Sequence, residues 1–261
     1  MYRSISTHAI VIRRERLGDF HKSLFLLTAD LGLINATAYG AYKMQSRLRM
    51  GSEPFTWALF HLYHNPVKHA YKVTELEIRE TFPRLQADLS RLASASLYAE
   101  VVQKSYGAGE LSGMLYQLLL DSLRILDASD ARREAYVTVQ FLWRFLSLAC
   151  YQPDTGTCDG CGALLAPQRP AYYSARSNGL LCPACGSHLG DALPAGSLRY
   201  LDASQELPLD RAVEVQVETG GLQALRRTVP LMVQAVLEGE LSSLRWVGWK
   251  MPRGTVAGAG R

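Results

Sequence analysis

Four of the chain's five cysteines stand in two C-x-x-C pairs, Cys158-Asp159-Gly160-Cys161 and Cys182-Pro183-Ala184-Cys185, with 20 residues between them. Two intervening residues let both sulfurs of a pair face one cation, and two such pairs complete a tetrahedral thiolate shell that suits zinc. Gly162 and Gly186 each follow the second cysteine of a pair, where a tight turn can require a positive φ. Between the pairs, Tyr172-Tyr173-Ser174 and Leu180-Leu181 flank Asn178-Gly179, a hairpin turn signal, so Thr157 to Gly186 reads as a zinc ribbon. Cys158, Cys161, Cys182 and Cys185 are thus the expected ligands of a Zn2+ ion. A closed shell of four cysteines leaves no position for water or substrate, so the ion is expected to organise the fold and not to catalyse.

Other uses of these cysteines fit less well. Two disulfides would need an oxidising compartment, and a redox C-x-x-C site would sit at a helix amino terminus in a βαβ setting that the flanking sequence does not offer. With four cysteines available, His188 reads as a bystander, and Cys150, just past an apolar stripe ending at Leu148, as a buried apolar thiol. The chain carries no phosphate loop, no dinucleotide fingerprint, no H-E-x-x-H, no G-x-S-x-G elbow and no H-x-E beside its cysteines. It therefore reads as a protein without a catalytic centre, and His61, His64 and Asp88 as ordinary surface or core groups.

The second chemistry is electrostatic. Of 28 Lys/Arg and 24 Asp/Glu in 261 residues, the first 80 hold 11 and 7, which leaves 17 against 17 in the rest. The net charge of +4 is thus confined to the first third, and Leu31 to Ser52 contains Lys43, Arg47 and Arg49 with no acid. A solvated basic loop is the plain reading; the sharper one is a footprint for an anionic polymer. In the sharper reading Lys43, Arg47 and Arg49 neutralise phosphates, and Tyr39 and Tyr42 offer faces for unpaired bases, each stacked base contributing on the order of 1–3 kcal/mol. Arg13, Arg14, Arg16, His21 and Lys22 form a second basic run. For the two tyrosines a place in the barrel core is an equal alternative.

These residues need a scaffold. A composition of 48% hydrophobic and 20% charged residues suits a globular chain with a sizeable core. Thr7 to Arg13, Ser23 to Thr28, Leu33 to Ala38, Phe55 to Tyr63 and Tyr71 to Ile78 alternate or are rich in β-branched and aromatic residues, with turn signals between them. Five short strands in 80 residues predict a small barrel, either an OB-fold or an SH3-like one. After Phe82-Pro83 the period changes to about 3.6. Leu85, Leu89, Leu92, Ser96 and Ala99 make one stripe stopping near Gly107; Leu111, Leu115, Leu118, Ser122 and Leu126 a second; Val137, Phe141, Phe145 and Leu148 a third. Weaker periodicity returns over Leu222 to Leu237, where Pro230 must sit early in a helix or kink it. The expected fold is α+β: an OB-fold-like barrel over residues 1–80, a helical domain over 81–251 holding the ribbon at 157–186, and a fraying tail at 252–261. Met1 to Arg14 lacks the apolar run of a signal peptide, and no apolar stretch reaches about 18 residues, which leads us to expect a cytosolic protein.

The order of parts carries a resemblance. Leu17-Gly18-Asp19, then Leu26-Leu27-Thr28-Ala29-Asp30-Leu31-Gly32, Ala38-Tyr39-Gly40-Ala41 and Ser46-Arg47-Leu48-Arg49 resemble the amino-terminal pattern of the RecO family, and Thr81-Phe82-Pro83-Arg84-Leu85 its entry into the helical domain; Glu238 to Arg245 is a looser match. The resemblance implies an OB-fold start, binding of single- and double-stranded DNA, and annealing of strands coated by single-stranded-DNA-binding protein (SSB). It also implies RecR and the carboxyl-terminal tail of SSB as partners, recombinase loading as the outcome, and a location in the bacterial cytosol and nucleoid. Tyr39 and Tyr42 depart from the family's small or basic residues there, and Leu189 to Thr219 matches poorly. The competing reading is a zinc-ribbon adaptor that docks proteins without touching DNA. A zinc ribbon associated with RNA or a specific duplex is a third.

Overall fold

The computed structural model describes residues 4–68, 70–105 and 112–249, which leaves Gly107, Leu111 and the tail 252–261 outside the described residues. The chain gathers into two compact units, Met1–Asp130 and Ala131–Arg261.

The first unit opens with strands β1 (Ser4–Leu17), β2 (His21–Thr28) and β3 (Gly32–Ala38), a one-turn helix α1 (Leu48–Gly51), and strands β4 (Trp57–Asn65) and β5 (Ala70–Glu80). They close into a barrel in the order β1-β2-β3-β5-β4. All neighbours are antiparallel except β3 and β5, whose parallel rungs Ala36↔Tyr71 and Thr37↔Lys72 complete the wall. This is the OB-like alternative of the two barrels left open by composition. Its core packs alanines (Ala9, Ala36, Ala38, Ala41, Ala58) against Val11, Leu24, Leu26, Phe60, Leu62 and Val73. Small side chains let the walls of a narrow barrel approach, and the few large ones fill it. Strand β1 carries a bulge between Val11 and Arg13. One extra residue there shifts the period-two alternation, so Arg14 and Arg16 pair across from Leu24 and Lys22 on the inward row of β2.

Helices α2 (Pro83–Ala87), α3 (Leu89–Lys104) and α4 (Ser112–Ala128) complete this unit. The first helical stripe needs correction. Asp88 leaves the helical region (φ −118°, ψ 121°) and its carboxylate accepts from the N–H groups of Ser90 and Arg91, which caps α3 and separates it from α2. The break resets the helical phase: of the expected stripe Leu85 and Ala99 are buried, Leu92 and Ser96 are half-buried and Leu89 is 80% exposed, while Ala93, Leu97, Tyr98, Val101 and Val102 fill the buried face of α3. In α4 the expected Leu115, Leu118, Ser122 and Leu126 are all buried.

The second unit contains α5 (Ala131–Leu148), a sheet of β6 (Ala171–Ser174), β7 (Gly179–Leu181) and β8 (Ala192–Leu193) in the order β7-β6-β8, and helices α6 (Pro183–Gly186), α7 (Ala195–Gln205), α8 (Leu209–Ala212) and α9 (Thr219–Val236). Helix α5 buries Val137, Phe141 and Phe145 and packs on α9. Pro230 lies buried well inside α9, not near its start. Cys150 is exposed, with φ +59°, because α5 ends at Leu148 and the chain turns away; the expected buried thiol is not found. Among the described residues no helix is long and apolar enough to cross a membrane.

Candidate nucleic-acid interface and metal centre

At one mouth of the barrel the β1–β2 turn meets the long connection from β3 to β4. Phe20, at the tip of that turn, is 52% exposed, and its carbonyl accepts from the N–H of Tyr42. The Lys43 ammonium lies 5.8 Å from the Phe20 ring centre. Tyr39 is likewise 52% exposed, with the His21 ring edge-on at 5.0 Å and the Lys72 ammonium at 5.5 Å. Tyr39, Gly40, Lys43, Met44, Gln45 and Ser46 line a shallow depression of about 500 Å³. Arg47 and Arg49 stand exposed at the start of α1. Cationic groups beside open aromatic faces suit a flexible polyanion with stackable bases. Phe20 and Lys72 join this face without having been singled out in the sequence. Phe20 had a legible signal: a large aromatic directly after Gly18-Asp19 in a two-strand turn.

The remaining candidates are engaged differently. Lys22 follows the inward parity of Leu24 and Leu26 on β2 and is 0% exposed. It is no part of the surface on which the sequence placed it. Its Nζ donates to the Arg49 carbonyl at 3.1 Å, Ser52 Oγ at 2.7 Å and Glu53 Oε1 at 2.8 Å. Arg14 Nε donates to Glu53 Oε2 at 2.7 Å, and Arg14 Nη1 to the Tyr42 hydroxyl at 2.8 Å. The ring of Tyr42 is half-buried among Lys22, Arg14 and Arg16, so it is neither core nor an open stacking face. Arg16 bonds the Gly18 carbonyl across the turn. Arg13 lies on the opposite face of β1, paired with Glu15 and stacked over Phe25.

The groups set aside in the sequence have structural uses. Asp88 is the α3 cap described above. His61 Nδ1 hydrogen-bonds Ser6 Oγ at 2.8 Å, and His64 stacks on Tyr71.

In the second unit the four cysteines converge. All four Sγ atoms lie within 4.8 Å of one another, and Cys161 Sγ is 3.9 Å from Cys182 Sγ. A tetrahedron of thiolates about 2.3 Å from a central ion has edges of about 3.8 Å, so the spacing is that of a metal-binding shell. Two knuckles build it. In the first, the Cys158 N–H donates to the Ala163 carbonyl and the Gly162 N–H returns to the Cys158 carbonyl, with Gly162 at φ +71° as expected. In the second, the N–H groups of Cys185 and Gly186 both reach the Cys182 carbonyl.

Gly186 serves a different purpose from Gly162. Its φ is −120°, and a Cβ there would stand 2.7 Å from Tyr172 Cβ. The hairpin exists, but its loop runs over residues 175–178. Only Asn178 takes a positive φ, while Gly179 starts β7 with the Asp159 side chain where a Cβ would be.

The thiols respond to their crowding. Burial opposes ionisation of Cys158, yet backbone N–H donors from Cys182, Cys161 and Gly160 outweigh it and hold the thiol at about 6. Neighbouring sulfurs of Cys161 and Cys182 push Cys185 up to about 12. Four sulfurs this close favour ionisation together only around a cation.

Models of two families match the chain: "Recombination protein O N terminal" over residues 1–82 and "Recombination protein O C terminal" over 86–245. A DNA repair protein RecO of Desulforudis audaxviator (strain MP104C) is 32% identical over 244 residues, which cover 92% of this chain and 95% of that protein. One of Pelotomaculum thermopropionicum (strain DSM 13744 / JCM 10971 / SI) is 32% identical over 237 residues, 90% of each. Another, of Dehalococcoides mccartyi (strain ATCC BAA-2266 / KCTC 15142 / 195), is 27% identical, across 92% of this chain and 94% of that protein. With the barrel and the cysteine-bearing part both inside matched segments, and relatives aligned nearly end to end, the chain belongs to the RecO (Recombination protein O) family.

Proposed function

We propose that this protein is a DNA repair and recombination mediator: it binds single- and double-stranded DNA through the barrel mouth, anneals complementary strands coated by SSB, and helps load recombinase together with RecR. The observation that carries the reading is the exposed pair Phe20 and Tyr39, each with a lysine ammonium within 6 Å of its ring, with Arg47 and Arg49 exposed on the same connection as Lys43. In this reading the lysines and arginines screen the phosphates of two strands while the rings hold unpaired bases. Annealing then needs no nucleotide hydrolysis and no catalytic residue. Binding is largely independent of sequence and weakens steeply with salt. The working location is the bacterial cytosol and nucleoid, with the SSB tail and RecR as protein partners.

The four cysteines hold a structural Zn2+ ion in this proposal. Cys158, Cys161, Cys182 and Cys185 would be its ligands, and the ion would tie the knuckle at 158–161 to the one at 182–185; a shell filled by four thiolates would leave it a structural role.

The test is the annealing rate of complementary oligonucleotides precoated with SSB. Wild type should accelerate it, and Lys43→Glu/Arg47→Glu/Arg49→Glu should lose the acceleration. No acceleration by wild type would reject the mediator in favour of the protein-docking adaptor.

A further inference from the structure

A single buried ammonium joins the barrel to the basic connection. Lys22 has three N–H donors and meets three acceptors, the Arg49 carbonyl, Ser52 Oγ and Glu53 Oε1, all from one turn at the end of α1. Its stem continues the inward row of β2, so a point on the barrel wall is bound to a point on the loop. The second oxygen of Glu53 takes Arg14 Nε, Arg14 Nη1 reaches the Tyr42 hydroxyl, and the Tyr42 ring lies 5.0 Å from Lys22 Nζ. The contacts form a closed ring: Lys22, Glu53, Arg14, Tyr42 and back to Lys22. Every member sits on β1, β2 or the β3–β4 connection. Beneath the same turn Gly51 has no room for a side chain, since a Cβ would fall 2.1 Å from Leu76 Cδ1.

We propose that Lys22 is a positioning residue: it pins the segment from Tyr42 to Glu53 over the barrel mouth and so holds Lys43, Arg47 and Arg49 in the arrangement that meets a nucleic-acid strand, without touching the strand itself. This rests on the DNA-binding reading above. It also changes the role of three residues that composition grouped with the contact set. Lys22, Arg14 and Tyr42 spend their polar groups on one another and on Glu53, whereas Lys43, Arg47 and Arg49 present theirs to solvent. A pinned loop binds more tightly than a free one because the competent arrangement need not be selected from an ensemble.

The experiment uses the full chain and a labelled oligothymidylate, with affinity measured over a range of salt, alongside hydrogen exchange of residues 41–53. Lys22→Met keeps the stem and removes the ammonium. If the loop is then competent about one-tenth of the time, affinity falls about tenfold at every salt concentration. The salt slope should stay that of wild type, and exchange over 41–53 should speed up. Lys43→Gln should do the reverse: the slope falls by about 0.7, as for one lost phosphate contact on a single strand, and exchange is unchanged. Glu53→Gln, on the half-exposed side of the ring, carries the same expectation as Lys22→Met with a smaller loss, so a misfolded Lys22→Met does not shelter the idea. Wild-type affinity in Lys22→Met, unchanged exchange, or a slope reduced as in Lys43→Gln each overturns the positioning role. Absence of binding by wild type overturns the DNA-binding reading itself.

Discussion

Trp57 Nε1 donates to the Tyr116 hydroxyl at 2.7 Å, which ties the first residue of β4 to helix α4. Eight residues further along α4, the Arg124 guanidinium lies 4.8 Å from the Trp57 ring and donates through Nε and Nη2 to the Glu80 carboxylate. Trp57 and Glu80 are opposite one another in the β4–β5 ladder. Helix α4 thus grips one rung of the barrel at both ends.

That grip gives the first prediction. Tyr116→Phe leaves the half-buried indole N–H of Trp57 without its acceptor and should lower the unfolding free energy by about 1–2 kcal/mol in urea titrations. Arg124→Ala should add to this less than its single-variant loss, since both groups meet Trp57. Strict additivity in the double variant would show that the two contacts do not communicate through the ring.

The parts of this molecule legible in sequence are those where one periodicity rules a whole element. Strand alternation located the five barrel strands, and the cysteine spacing located the knuckles, because a C-x-x-C turn works through local geometry alone. What escaped depends on a single residue changing phase. The bulge between Val11 and Arg13 turned Arg14 and Arg16 toward the inward row, and Asp88 split one helical stripe into two helices. Lys22 was readable in principle, since it shares parity with Leu24 and Leu26. Its charge argued for the surface, and only the three acceptors delivered by residues 49–53, far along the chain, make its burial tolerable.

A second prediction concerns alkaline pH. Burial raises the Tyr116, Tyr173 and Tyr200 phenols above their ordinary value of 10.0. An acid that holds its proton more tightly when folded leaves stability intact below its unfolded pKa, and that stability is lost as the pH climbs through the folded value. The tyrosines should therefore make the urea midpoint fall as the pH rises above about 10. Tyr200→Phe should lose about 1 kcal/mol at pH 8, because Gln140 Nε2 keeps only Ser204 Oγ as acceptor, but should decline less steeply above pH 10.

The ribbon's glycines are tested by methyl groups. Gly179→Ala would place a Cβ 2.5 Å from Asp159 Cγ, and Gly186→Ala one 2.7 Å from Tyr172 Cβ. Each should destabilise the ribbon by about 1–3 kcal/mol through overpacking. Gly162→Ala meets no atom within 4 Å and should lose about 1 kcal/mol from its positive φ alone. Equal losses at all three sites in thermal melts would argue against the close packing of Asp159 and Tyr172.

The last prediction separates the metal from the nucleic-acid interface. All five cysteines lie in the unit Ala131–Arg261, and the barrel unit has none. Purified protein should carry one zinc per chain, and Cys158→Ser/Cys161→Ser should remove it and lower the thermal midpoint of the second unit. The first unit should keep its fold and most of its affinity for a short oligothymidylate, because the contacts of Phe20 and Tyr39 (Lys43, His21 and Lys72) and the Lys22–Glu53–Arg14 ring proposed to hold Lys43, Arg47 and Arg49 contain no cysteine. Metal content by atomic absorption, midpoint by calorimetry and binding by anisotropy decide the matter. Loss of metal accompanied by loss of DNA binding at low salt would place the ribbon within the interface instead.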